Sequence, residues 1–118
     1  MTEFRVASFS QNDEPIEDFF TLPLLVEGLT GDQAKAEAAG TRSLLASNNT
    51  YYRTADSRSV VAYRGDAPVG RLTAFHHRLL IDQHRRFGLV GLFACEDDVA
   101  AAQTLVRHAS QWLAERDL

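Results

Sequence analysis

The sequence predicts an α+β fold, a mixed and mainly antiparallel sheet with flanking helices in the order β-α-α-β-β-β-α. Three observations carry this prediction. Ser57 to Phe75 holds two β-rich runs around Gly65-Asp66-Ala67-Pro68, a turn short enough to force antiparallel pairing. The glycine-spaced apolar run Phe87 to Cys95 reads as a further buried strand. The stretch that follows repeats apolar residues at i, i+3 and i+4, the period of a helix with one buried face.

Taken in order, Phe4 to Phe9 alternates apolar and polar residues and reads as a first strand. Ser10 to Pro15 is a polar turn. Ile16 to Val26 has helical spacing, and Pro23 is expected to bend that helix or split it. Thr30 or Asp32 caps a second helix, Gln33 to about Ala39, whose apolar residues are mostly alanine. Gly40 is expected to stop it. Thr41 to Thr54 is a connection with a helical turn at Arg42 to Ala46, pinned to the core by Tyr51 and Tyr52. Ser59 to Tyr63 and Val69 to Phe75 form the hairpin strands, the second running past His76 towards Ile81. Asp82 to Arg86 is a polar connection. Gly88 and Gly91 leave room for a bulge in the strand that follows. The last helix, capped by Asp97 or Asp98, presents Val99, Ala102, Leu105, Val106, Ala109, Trp112 and Leu113 on one face.

At 118 residues the chain, 1–118, is one domain with a modest core. Its 45% hydrophobic and 24% charged residues are ordinary for a globular protein. A net charge of −4 argues against general nucleic-acid binding, which needs a basic surface to displace counterions. No apolar run reaches the roughly 20 residues that span a bilayer, so no membrane partner is expected. The N-terminus has no secretory pattern and Cys95 stands alone, which together point to a reducing, cytoplasmic setting. Asn48-Asn49-Thr50 fits a glycosylation pattern but, without a secretory route, reads as a polar turn.

Several residues invite chemistry. His76 and His77 are adjacent in a strand and point to opposite faces, so they do not share a metal; His77 with His84 is the pair that remains. No metal site is expected. Cys95 precedes a helix, where a dipole lowers a thiol pKa, but Glu96, Asp97 and Asp98 beside it act the other way. Those three acids suit helix capping, a cation or an amine. Tyr51, Tyr52 and Tyr63 suit core packing. Arg71, inside a strand fit for burial, calls for a carboxylate partner, with Glu96 as one candidate.

The ordered set of segments resembles the N-terminal half of a GNAT (N-acetyltransferase) domain in one bacterial branch. The resemblance rests on Phe19-Phe20-Thr21-Leu22-Pro23, on the hairpin Val61 to Arg71 ending in Pro68-Val69-Gly70-Arg71, on Phe87 to Phe93, on Glu96-Asp97-Asp98 and on Trp112-Leu113. It implies an acyl-CoA N-acyltransferase fold that holds acetyl-CoA where the fourth strand splays from the fifth. Leu92, Phe93 and Ala94 would line the acyl arm. Cys95 to Ala100, with Asp98, Val99 and Ala100, would form the phosphate corner, and Glu96 or His77 would be the base that deprotonates an amine. Relatives carry a glycine-bearing loop at this corner, whereas this chain carries three carboxylates, each repelling a phosphate by roughly 1 kcal/mol at ~4 Å in water. The chain also ends where the resemblance places a fifth strand. The alternative expectation is therefore a catalytically inactive half-domain that pairs through an exposed sheet edge, as a homodimer or with another partner.

Overall fold

A computed structural model describes residues 4–116 other than 27, 29–30, 78–80, 83–84 and 87. It is an α+β fold with a four-stranded antiparallel sheet and three α-helices. The elements are β1 (Arg5–Ser10), α1 (Glu17–Val26), α2 (Gly31–Leu45), a 3₁₀ turn (Thr50–Arg53), β2 (Ala55–Arg64), β3 (Ala67–His77), β4 (Ile81–Asp82), β5 (Arg85–Arg86), β6 (Leu89–Cys95) and α3 (Val99–Ala114). The sheet order is β1-β2-β3-β6, with every neighbouring pair antiparallel. The short strands β4 and β5 pair with each other, where the sequence suggested only a polar connection. No helix of the described residues is long and apolar enough to cross a membrane.

Side-chain alternation along β2 builds two cores. Val60 and Ala62 face α3 and pack with Leu72, Ala74, Ala101, Leu105, Ala109 and Trp112. Val61 and Tyr63 face the other way, against Phe9, Phe19, Phe20, Leu22 and Leu45. The sheet is therefore buried on both faces, which explains why β2 and β3 read as apolar runs rather than as clean alternations. Gly70 lets α3 approach β3 closely, since a Cβ there would lie 2.7 Å from Leu105 Cδ1 and 2.9 Å from Cys95 Sγ.

Three boundaries differ from the sequence reading. Helix α2 continues through Gly40 to Leu45. Gly40 does not adopt a left-handed conformation, and burial of Thr41 and, a turn further on, Leu45 offsets the ~1 kcal/mol that a glycine costs inside a helix. Pro23 sits inside α1 and does not split it, one of the two effects expected of it. The hairpin loop is only Gly65-Asp66, with Gly65 at φ 62°, because Arg64 already pairs with Ala67. Pro68 then enters β3 where the β2–β3 register shifts, a site that tolerates a missing N–H. The expected start of the last strand at Phe87 lies outside the described residues.

Candidate functional site

The site is built on an irregularity in β6. Arg71 pairs with Ala94 and Thr73 with Gly91, so Leu92 and Phe93 together stand opposite the single residue Leu72. Leu92 has φ 53°, unfavourable for a branched side chain and unique among the described non-glycine residues. Something must hold it there. Arg71, only 3% exposed, donates from Nε to the Leu92 carbonyl at 3.1 Å. Its Nη1 donates to the Phe19 carbonyl at 2.6 Å and its Nη2 to Glu37 Oε1 at 2.8 Å. The guanidinium also lies 4.7 Å from the Phe19 ring centroid.

Proline explains why the Phe19 carbonyl is available. In an α-helix that oxygen accepts from the N–H four residues on, and residue 23 is a proline without one. Glu37 is oriented in turn by Thr41, whose hydroxyl donates to the same Oε1 at 3.0 Å. One buried cation thus ties α1, α2 and β3 to the bulge in β6. The carboxylate that Arg71 meets is Glu37, not the Glu96 suggested by sequence.

Glu96 belongs to a second cluster, the corner between β6 and α3. Its amide donates to the Val69 carbonyl at 2.9 Å, which fixes the corner to β3. Asp98 is the cap of α3, its Oδ1 accepting from the amides of Ala100 (2.9 Å) and Ala101 (3.3 Å). Arg64, at the end of β2, bridges Glu96 Oε2 at 3.1 Å and Asp98 Oδ2 at 2.5 Å. These pairs are partly exposed and individually worth little, but they neutralise part of the acidic knot and set its direction. Cys95 lies beside them. Burial pushes its thiol pKa up, and Asp98 and Glu96 push it further, against a smaller opposing effect of Arg64. A thiol so placed is protonated at neutral pH and is not a primed nucleophile.

Between this corner and α3 lies an apolar groove. A hollow of about 350 Å³ is lined by Phe93, Cys95, Glu96, Asp97, Asp98, Val99 and Ala102. A second, of about 560 Å³, shares Val99 and Ala102 and runs on to Gln103, Val106 and Arg107. Phe93, Val99 and Val106 are 51%, 71% and 49% exposed. The single apolar helix face expected from sequence is thus two stripes. Ala101, Leu105, Ala109 and Trp112 meet the sheet, while Val99, Ala102 and Val106 line the groove.

The residues expected at the acyl arm, Leu92, Phe93 and Ala94, and those expected at the corner, Cys95, Asp98, Val99 and Ala100, all fall at this one end of β6. Glu96 is at the groove. His77 is not: Glu96 joins β3 at Val69, and β3 runs from there to His77, about 26 Å at strand rise. His77 instead shares a hydrogen bond of 2.9 Å with Thr54 Oγ1 and packs on Tyr51. His76 is buried, and His84 lies outside the described residues. Among the described residues no three His, Cys, Asp or Glu side chains converge as metal ligands. Tyr63 is buried in the core and its hydroxyl donates to Asp18 Oδ2 at 2.7 Å, while Tyr51 and Tyr52 are half-buried and stack edge to face. Glu37 was missed by sequence reasoning. No protein-family model, no curated protein sequence and no solved structure matches the chain.

Proposed function

We propose that the chain is a GNAT-like N-acetyltransferase-type domain that takes the acyl and pantetheine arm of acetyl-CoA along the outer edge of β6 and presents its thioester to an amine. The observation that carries this reading is the bulge at Leu92–Phe93 in β6, an edge strand of the sheet among the described residues, pinned by an arginine buried under α1 and α2. A bulge turns backbone amides out of the ladder, where they can donate to a thioester oxygen as charge builds on it. Phe93, Val99 and Ala102 supply an apolar wall for the arm. In the reaction the amine nitrogen attacks the thioester carbon, the C–N bond forms, the C–S bond breaks and the thiolate leaves. Glu96, at the groove, is the carboxylate suited to take the ammonium proton.

The diphosphate end of the cofactor gains less. Asp98 already occupies the amides of Ala100 and Ala101 that a phosphate would use, so affinity rests on the arm. Calorimetric titration with CoA and acetyl-CoA, alongside amide NMR of Leu92 to Ala94, tests the reading. Heat together with shifts at those amides is expected. Neither at millimolar ligand would sink it.

One observation favours a second reading, an inactive module that self-associates through β6. Among the described residues β6 has no strand neighbour on its outer side, and Leu89 to Cys95 contains no charged residue. Antiparallel addition of a second copy would satisfy that edge. Sedimentation across a wide concentration range should then give a dimer, and a monomer throughout would exclude it.

A further inference from the structure

A different pocket lies under the C-terminal half of α3, away from β6. It measures about 170 Å³ and is walled by Ser8 of β1, Arg58 of β2, and His108, Gln111, Trp112 and Glu115 of α3 and its cap. Two of the residues that line it carry a donor that is closed to solvent and has no hydrogen-bond partner: Arg58 Nε and Trp112 Nε1. Trp112 itself is 7% exposed. Each of these groups donates only, and leaving such a donor buried and unpaired is costly. The charge asks for more than a water molecule. Arg58 has the Asp13 carboxylate within electrostatic reach but forms no salt bridge among the described residues, where its side chain bonds from Nη1 to Ser8 Oγ at 3.3 Å. A second cation stands close by, since Arg116 stacks 3.9 Å from the centroid of the Trp112 ring.

We propose that this pocket binds a small oxyanion, the phosphate or carboxylate group of a ligand, with Arg58 and Trp112 turning their unpartnered Nε and Nε1 donors onto its oxygens as it binds. Charge-assisted bonds of this kind are the strong ones, and the volume accommodates a tetrahedral anion. Ser8 and Gln111 offer further donors, and His108 adds one or two. Glu115 opposes the anion, as does the negative end of the α3 dipole, and both weaken binding. The inference does not depend on the acyltransferase reading.

Trp112 is the single tryptophan of the chain, so its fluorescence and its indole N–H resonance report on this pocket alone. Inorganic phosphate, acetate and chloride are titrated separately at constant ionic strength. Saturable changes with phosphate or acetate but not chloride are expected, and whichever binds tighter identifies the group recognised. Arg58→Gln should weaken binding roughly tenfold, since a charged hydrogen-bonding partner is lost. Glu115→Gln should tighten it several-fold, an effect that a merely structural role for Glu115 would not produce. Trp112→Phe, read by the backbone amide shifts of Ser8 and Gln111, should also weaken it. A response that is linear, equal for all three anions or unchanged in Arg58→Gln overturns the proposal.

Discussion

Arg71 donates to the carbonyl oxygen of Phe19, and that oxygen is the one Pro23 leaves without its helical donor. A proline that looks like a helix breaker is thereby part of a helix-to-sheet bond. Removing the arginine strands the Glu37 carboxylate and the carbonyls of Phe19 and Leu92. Arg71→Met is expected to cost about 3–5 kcal/mol, the cost of breaking a buried ion pair from one side. Against typical domain stabilities of roughly 5–15 kcal/mol this approaches unfolding. Pro23→Ala restores an N–H to Phe19, so urea unfolding of both single variants and the double variant should show a coupling of about 1 kcal/mol. Simple additivity would mean that the proline and the arginine do not share that oxygen.

Gly40 is exposed within α2, at a negative φ, with open space where a Cβ would go. Gly40→Ala is expected to stabilise the fold by about 0.5–1 kcal/mol, because alanine loses less backbone entropy on entering a helix. Thermal unfolding should rise by about 4–8 °C per kcal/mol in a domain near this size. A fall in midpoint would mean that the glycine does end the helix in solution.

The Tyr63 phenol is pushed up to about 12, first by burial and then by its hydrogen bond to, and charge repulsion from, Asp18. The neutral phenol is therefore favoured in the folded state. Its contribution is complete below the unfolded value of 10.0, declines as pH rises through the window up to about 12, and is then gone. Stability measured by denaturant between these pH values should fall more steeply in the parent protein than in Tyr63→Phe. Parallel curves would remove Tyr63 from the alkaline transition.

Cys95 should alkylate slowly near neutral pH, with a rate profile whose midpoint lies above the ordinary thiol value of 9.0. Asp98→Asn keeps a capping side chain and removes a charge. The midpoint in that variant should move down yet stay above 9.0, since burial is the larger cause. An unmoved profile would remove Asp98 from the causes and leave burial and Glu96.

The parts of the fold set by local pattern were legible in the residues. The buried stripe of α3 follows its helical period at Leu105, Ala109 and Trp112, and the antiparallel hairpin turns within the Gly65–Pro68 stretch, though at Gly65-Asp66 alone. What escaped was set by distant partners. Leu92 takes a left-handed conformation because of a side chain 21 positions earlier, and no local signal besides the neighbouring Gly91 marks it. No local pattern links Arg71 to Glu37, which lies 34 positions earlier on a different element. Strand parity offered the missing clue. Arg71 pairs with Val61, whose side chain faces the helices α1 and α2, so its carboxylate had to come from that layer. Gly40 misled for a similar reason, since the helix is extended by the burial of Leu45 rather than by any property of residues 33–39.

The uncharged rim from Leu89 to Cys95 has a consequence for the protein's behaviour at high concentration. Proteins usually guard such a rim with a lysine or a proline, and this one has neither. The kink at Leu92 breaks the regularity of this rim, and irregularities of that kind blunt edge-to-edge pairing. The guanidinium that bonds to the Leu92 carbonyl thus shapes an outer rim from inside the core.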